Sequence, residues 1–350
     1  MTEPVAPDSV GMGAAAAALP EQLTEALATA GEAFGGLAGT GGEARAIRSV
    51  AAFGLGTGGL ACAAAAALSV PALRVPFWVG HGSVLPAFVD EATLVLAVST
   101  SGGTEETLTA AEKAVARGAR VVTVGGGADG ALARLAADAG QPWCPVTPRG
   151  TLVRSALGAT TVSLLVALSR AGLRADSEAS VHAAAAALES RRTALVAADG
   201  APAELARRLG RTMPLIYGAT GTPAVAARWW KSQVNLNAKA PAFAAALPGL
   251  TYDELAGWGQ GGDVTRQTMS LVLLRHAGES PRTTSQFDAV WAATDEVMAD
   301  VLEVQAEGDD ELGRFLHLVW VGTLVSLRLA AREGVDPGPV PAVDEARPGR

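Results

Sequence analysis

The stretch 94–108 constrains this chain more than any other. Leu94-Val95-Leu96-Ala97-Val98 is an apolar run of strand length. It empties without a gap into Ser99-Thr100-Ser101-Gly102-Gly103-Thr104, and then into Glu105-Glu106-Thr107-Leu108, which reads as the first turn of a helix. A strand apolar on both faces belongs inside a parallel sheet covered by helices. The turn that follows carries the chemistry. Backbone N–H groups at the helix start and the hydroxyls of Ser99, Ser101 and Thr104 can donate to phosphate oxygens, and the glycines let the backbone come close. The plainer reading is a helix cap without a ligand, with Glu105 and Glu106 answering the helix dipole.

The same strand, turn and helix sequence recurs. Residues 47–53 read as a strand entering Gly54-Leu55-Gly56-Thr57-Gly58-Gly59 and an alanine-rich helix. The glycines at 54, 56 and 59 fit dinucleotide-binding spacing. The next strand, 75–79, nonetheless ends in Gly80-His81-Gly82, where the acidic ribose ligand should stand. A helix over 105–117 ends at Gly118, a strand follows over 120–124, and Gly125-Gly126-Gly127 leads to a helix near 131–139. Alternation of this kind builds an α/β fold, a parallel sheet with helices on both faces and ligands at the carboxyl ends of its strands.

Further along, 143–148 reads as a short strand and a long helix ends near 171. Residues 174–211 are polar and helical in pattern. Residues 213–218 begin a second strand, with 219–223 as its turn and a helix over 224–237. Beyond these, 269–274 reads as a strand and 281–285 as a loop. Phe287, Val290, Trp291, Thr294, Val297, Met298 and Val301 follow helical spacing across 287–304, and 315–330 is a strongly apolar helix. The expected organisation is a loose N-terminal tail at 1–19, a first domain at 20–173, a helical linker at 174–211 and a second domain at 212–350.

Composition narrows the partners. The chain has 350 residues, 49% of them hydrophobic, enough for two cores. Its net charge is −8, its only lysines are Lys113, Lys231 and Lys239, and no basic block occurs, so nucleic acid is not an expected partner. Cys62 and Cys144 are far apart and set in apolar surroundings, which reads as two buried thiols in a reducing compartment, with no disulfide framework and no metal. Apolar runs are broken by Pro71, Pro76 or polar residues before reaching the roughly 20 residues of a membrane span, and the N-terminus lacks a basic leader. A cytoplasmic protein free of membrane and cofactor is expected.

The spacing Ser99-x-Ser101-Gly102-x-Thr104-x-Glu106-Thr107-Leu108 resembles the phosphosugar-binding signature of SIS (sugar isomerase) domains, and Gly54-Leu55-Gly56-Thr57-Gly58 resembles their first turn, with Gly58 where a serine is usual. Residues 227–242, running from Ala227-Arg228-Trp229-Trp230 to Asn235-Leu236-Asn237-Ala238-Lys239, resemble the second-domain signature of the bifunctional phosphoglucose/phosphomannose isomerases. Pro248-Gly249-Leu250-Thr251-Tyr252-Asp253-Glu254 and the segments 325–330 and 340–347 extend the likeness. The resemblance implies two SIS-type doubly wound parallel sheets in tandem, usually paired as a homodimer. It further implies aldose–ketose isomerisation of a sugar phosphate through an enediol, between fructose 6-phosphate and glucose 6-phosphate or mannose 6-phosphate. Phosphate would rest on Ser99, Ser101, Thr104 and the turn at Gly56, Thr57 and Gly58, with Arg149 or Arg154 supplying an arginine.

Three positions depart from the family. Leu236 stands where a glutamate moves the proton, Tyr252 where a histidine assists ring opening, and Arg347 where a lysine is expected. Leucine has no proton to exchange. Asp253 and Glu254, beside Tyr252, are then the candidate replacement carboxylates, and none of His81, His182, His276 or His317 restores the pattern. Two functions therefore follow from the resemblance: an isomerase with a relocated base, or a sensor that keeps the phosphosugar cradle without turnover.

Overall fold

The computed structural model describes residues 7–37, 46–146 and 153–346. The chain divides into two compact units. One is Ala18–Ala186; the other runs from Ala187 onward and includes the segment before Ala18. That segment, expected to be a loose tail, carries helix α1 (Met12–Ala17), because Met12, Ala15 and Ala16 are apolar enough to be buried.

The unit at 18–186 begins with α2 (Leu19–Ala33), which has Pro20 and Glu21 in its first turn. It continues through β1 (Ser49–Gly54), α3 (Gly56–Ser69), β2 (Phe77–Gly80), β3 (Thr93–Ser99), α4 (Glu105–Ala116), β4 (Arg120–Gly125), α5 (Ala131–Asp138), β5 (Trp143–Pro145) and α6 (Leu157–Arg170). The strands form one parallel sheet in the order β2-β1-β3-β4-β5. Every residue of β3 is buried, as its unbroken apolar sequence requires. Ala51, Phe53, Val95, Ala97 and Val121 pack with Ala110 and Ala114 of α4 and Leu132 of α5, while α3 and α6 lie on the opposite face. Glu105 and Glu106 start α4 and Lys113 ends it, each complementing the helix dipole, and Gly118 closes it at φ 75°.

The division between the units falls within α7 (Glu178–Val196). Helix α8 (Ala201–Leu209), expected as linker, belongs to the second unit. It buries Ala203, Ala206 and Leu209, packs on α12 (Glu311–Arg332), and holds Asp300 through Arg208 at 2.7 and 2.8 Å. The remaining elements are β6 (Met213–Ala219), α9 (Thr222–Gln233), β7 (Phe243–Leu247), α10 (Gly262–Thr268), β8 (Met269–His276), α11 (Pro281–Thr294), β9 (Asp300–Ala306) and α13 (Pro341–Glu345). This sheet is also parallel, in the order β7-β6-β8-β9, which repeats the first four strands of the other unit.

Four expectations are corrected in this unit. Residues 281–285 are helical rather than looped, because the Ser280 hydroxyl accepts the Thr283 N–H at 3.1 Å and Pro281 fits the first turn. The helical spacing across 287–304 covers two elements. The helix stops at Thr294, and the Ala299 N–H bonds to the Met269 carbonyl at 2.8 Å, drawing the chain into the sheet as β9. The helix expected over 224–237 ends at Gln233 and widens into a π turn over Val234–Ala238, terminated by Lys239 in the left-handed region at φ 54°. Finally, α12 is long and apolar enough to cross a membrane by length and composition, contrary to the reading of broken runs. Most of its apolar length is buried against α8, α9 and β9 as a core helix.

Candidate functional site

In the first unit the strand order reverses between β1 and β3, and the register pairs Gly54 with Val98 there. The turns after β1 and β3 therefore open side by side at one edge of the sheet. Ser99, the last residue of β3, is buried. Its Oγ lies 2.9 Å from Thr104 Oγ1 and 3.5 Å from Ser101 Oγ, and it accepts the Thr104 N–H at 3.1 Å. One hydroxyl thus gathers the other two into a cradle, with Ser101 exposed at its rim. Gly102 permits the turn. It sits at φ 78°, and a Cβ there would stand 2.1 Å from the Gly126 carbonyl oxygen.

Helix α3 starts in the same crevice. Gly56, at φ 54°, leads to a half-buried Thr57 and then to Gly58, where a Cβ would stand 2.8 Å from the Val98 carbonyl oxygen. Gly58 is therefore more than a missing hydroxyl, because the close seating of α3 on β3 leaves no room for a side chain on this backbone. Neither α3 nor α4 has a side-chain hydrogen bond at its N-cap, so first-turn N–H groups of both helices remain for an anion. Pairing of Phe53 with Gly80 also brings His81 to this edge, with Nδ1 3.4 Å from the Gly54 carbonyl oxygen. Its approach follows from strand order, which the local sequence around His81 does not display. The structure thus joins Ser99, Ser101 and Thr104 into one cradle beside the turn of Gly56, Thr57 and Gly58. Arg154 is buried in a 3-10 turn before α6, while Arg149 and Arg347 lie outside the described residues.

The motif at 227–242 is largely scaffold. The Trp229 indole donates to Thr323 Oγ1 at 3.0 Å and the Trp230 indole to the Leu318 carbonyl at 2.7 Å, which fixes α9 on α12. Asn237 donates to Gln233 Oε1 at 3.0 Å and to Ser326 Oγ at 2.9 Å. Leu236 is half-buried in the π turn, and Lys239 Nζ donates to the Leu236 carbonyl and, at 3.2 Å, to that of Pro337. In the loop after β7, Tyr252 is 79% exposed and Asp253 is spent on the N–H of Glu254, at 2.6 Å. Glu254 differs, because its carboxylate accepts the phenol of Tyr217, a fully buried residue of β6. Burial pushes the Tyr217 phenol up, and the adjacent Glu254 carboxylate adds to the effect, so the phenol remains a donor. These residues all belong to the second unit and the hydroxyl cradle to the first.

Among the described residues, no group of three or more His, Cys, Asp and Glu side chains stands together as a metal site. The end of β2, where a dinucleotide's ribose would meet an acid, carries His81.

Residues 48–140 match the SIS domain family, and residues 199–348 match the family described as the bacterial phospho-glucose isomerase C-terminal SIS domain. Over 275 residues the chain is 31% identical to the bifunctional phosphoglucose/phosphomannose isomerase of Caldicellulosiruptor bescii, covering 77% of this chain and 80% of that protein. The protein of the same name from Aquifex aeolicus is 28% identical, covering 78% and 80%. In fold, the chain is similar to the crystal structure of tagatose-6-phosphate ketose/aldose isomerase from Escherichia coli, with a TM-score of 0.69 at 14% identity over 97% of this chain and 98% of that one. Two parallel sheets with SIS signatures define a tandem SIS-domain protein. The chain belongs to the bifunctional phosphoglucose/phosphomannose isomerase family.

Proposed function

We propose that this protein binds a hexose 6-phosphate and acts as an aldose–ketose isomerase, interconverting fructose 6-phosphate with glucose 6-phosphate or mannose 6-phosphate. The observation that carries this reading is the cradle of Ser99, Ser101 and Thr104 facing two uncapped helix N-termini at the switch point, in a chain of this isomerase family. Phosphate is the ligand class that such an array of N–H and O–H donors suits best. Changing Ser101 and Thr104 together to alanine is expected to weaken fructose 6-phosphate binding about 10- to 100-fold by calorimetry, the worth of one or two hydrogen bonds to a charged group. Unchanged affinity would remove the phosphate assignment.

The chemistry needs a base for the sugar carbon and donors for the developing enediolate. Of the two carboxylates in the 252–254 loop, Glu254 is the one oriented by a buried side chain, the Tyr217 phenol, whereas Asp253 is committed to its own turn. One observation favours the second reading, a phosphosugar receptor without turnover: Leu236 at the position of the family's proton-transferring glutamate. Incubation with fructose 6-phosphate in deuterated water separates the two. Aldose formation with deuterium incorporation, lost in Glu254→Gln, establishes the isomerase. Thermal protection by the sugar without product or exchange establishes the receptor. Pairing of two copies and residence in a reducing compartment belong to the same proposal. Support for the latter comes from Cys62 and Cys144, both free and buried, their thiols pushed up by burial and that of Cys144 to about 11.

A further inference from the structure

The second unit repeats the switch-point construction of the first with different side chains. Its strand order reverses between β6 and β8. At Gly218 a Cβ would stand 2.4 Å from the Pro223 carbonyl oxygen, just as one at Gly54 would stand 2.7 Å from the Gly58 carbonyl carbon. In both units a helix N-terminus closes tightly onto the end of the strand before it, so the start of α9 repeats the placement of α3, with the N–H groups of Thr222 and Ala224 as its first-turn donors because Pro223 between them has none. Facing it is the turn His276-Ala277-Gly278 after β8. Between them lies a cavity of about 290 Å³ lined by Thr220, Thr222, His276, Glu311 and Arg314.

These side chains divide into donors and acceptors. Arg314 carries a permanent positive charge. Among the described residues, no carboxylate lies within ion-pair distance of it, and its guanidinium reaches only the Gly308 carbonyl, at 3.5 Å. His276 Nδ1 accepts the Gly278 N–H at 3.1 Å, which places the ring proton on Nε2 and leaves that N–H as a donor. Burial holds the imidazole below its usual range, and so neutral. On the accepting side, the exposed Glu311 carboxylate takes the Thr222 hydroxyl at 3.4 Å and keeps its remaining lone pairs. The Thr220 hydroxyl gives its proton to the Leu247 carbonyl at 2.6 Å and can then only accept.

A simple dianion would satisfy Arg314 and leave Glu311 repelling it. A phosphorylated polyol satisfies both groups, with phosphate on the donors and hydroxyls on the acceptors. The cavity stands at the small end of ligand pockets, about 300 Å³, which suits one monosaccharide unit. We propose that this crevice is a second, separate binding site for a small sugar phosphate, its phosphate held by Arg314, His276 and the N-terminus of α9, and its hydroxyls by Glu311 and Thr220. The site is independent of the Ser99 cradle, since every lining residue belongs to the second unit.

Equilibrium dialysis of the full chain with labelled fructose 6-phosphate tests this, in parallel with inorganic phosphate. The expected result is two sugars per chain, of which Arg314→Gln weakens one about 10- to 100-fold, while Ser101→Ala with Thr104→Ala spares that same one. Thr220→Glu, an exposed position where a carboxylate would fill the mouth, should act like Arg314→Gln and guards against a folding defect in the latter. A single site lost in Arg314→Gln but kept in the Ser101/Thr104 variant supports the crevice and removes the cradle. A single site indifferent to both Arg314→Gln and Thr220→Glu, or no binding at all, overturns the proposal. Retention of inorganic phosphate without the sugar overturns the sugar assignment.

Discussion

Glutamate in place of Leu236 is expected to raise deuterium exchange at C1 of fructose 6-phosphate about 10²- to 10⁴-fold, the usual contribution of a positioned general base. The position is prepared for one. Leu236 is half-buried in the π turn that ends α9, and the Lys239 ammonium bonds to the Leu236 carbonyl. A carboxylate introduced there would have that positive charge close by, which lowers its pKa and keeps it ionised near neutral pH. The turn itself is held by Asn237 and Gln233, which the change leaves in place. NMR in deuterated water gives the measurement. If Leu236→Glu exchanges no faster than the native chain while the sugar still binds, residue 236 does not serve the reacting carbon, and the family's position for the base has no counterpart here.

Alanine at Gly322 is expected to cost about 3 kcal/mol of stability, at the upper end of overpacking in a closed core. A Cβ at Gly322 would stand 2.3 Å from both Cδ1 and Nε1 of Trp230. The indole cannot swing away, because it is 1% exposed and its N–H is committed to the Leu318 carbonyl, with Trp229 held alongside by Thr323. The helices α9 and α12 must separate instead, which loosens the support beneath the π turn. A fall in the urea midpoint would record the loss. Gly249→Ala is the control, since it meets nothing within 4 Å at an ordinary φ. Equal midpoints for the two variants would show that the α9 and α12 contact adapts more readily than its geometry indicates.

The parts of the fold legible in the sequence were those written in local pattern. The run 94–98, its hydroxyl turn and the acidic helix start needed no distant information, and the cradle of Ser99, Ser101 and Thr104 followed from them. Strand β9 was hidden because Val297, Met298 and Val301 continue the helical spacing of Phe287 and Val290, while the bond that claims the chain comes from Met269, far back in the sequence. Strand β7 was hidden by composition, since Phe243-Ala244-Ala245-Ala246-Leu247 shows no alternation to read. The site divided in the same way. Gly58 read as a lost hydroxyl because only tertiary packing reveals the Val98 carbonyl above it. Likewise, Glu254 could not be told from its neighbour Asp253 until the buried Tyr217 was seen to hold it.

The bonds that Ser99 makes to Thr104 have a consequence for what the cradle admits. The cradle is closed upon itself, with hydroxyl bonded to hydroxyl and to backbone N–H. A guest that uses these hydroxyls must replace one set of partners with another. Water or a sugar hydroxyl, no stronger an acceptor than the serine it would displace, gains nothing by the exchange. A phosphate dianion, with charged oxygens that draw roughly twice the strength from each donor, does. Selectivity in such a turn arises from the internal competitor the ligand has to outbid, a filter that is present before any sugar arrives.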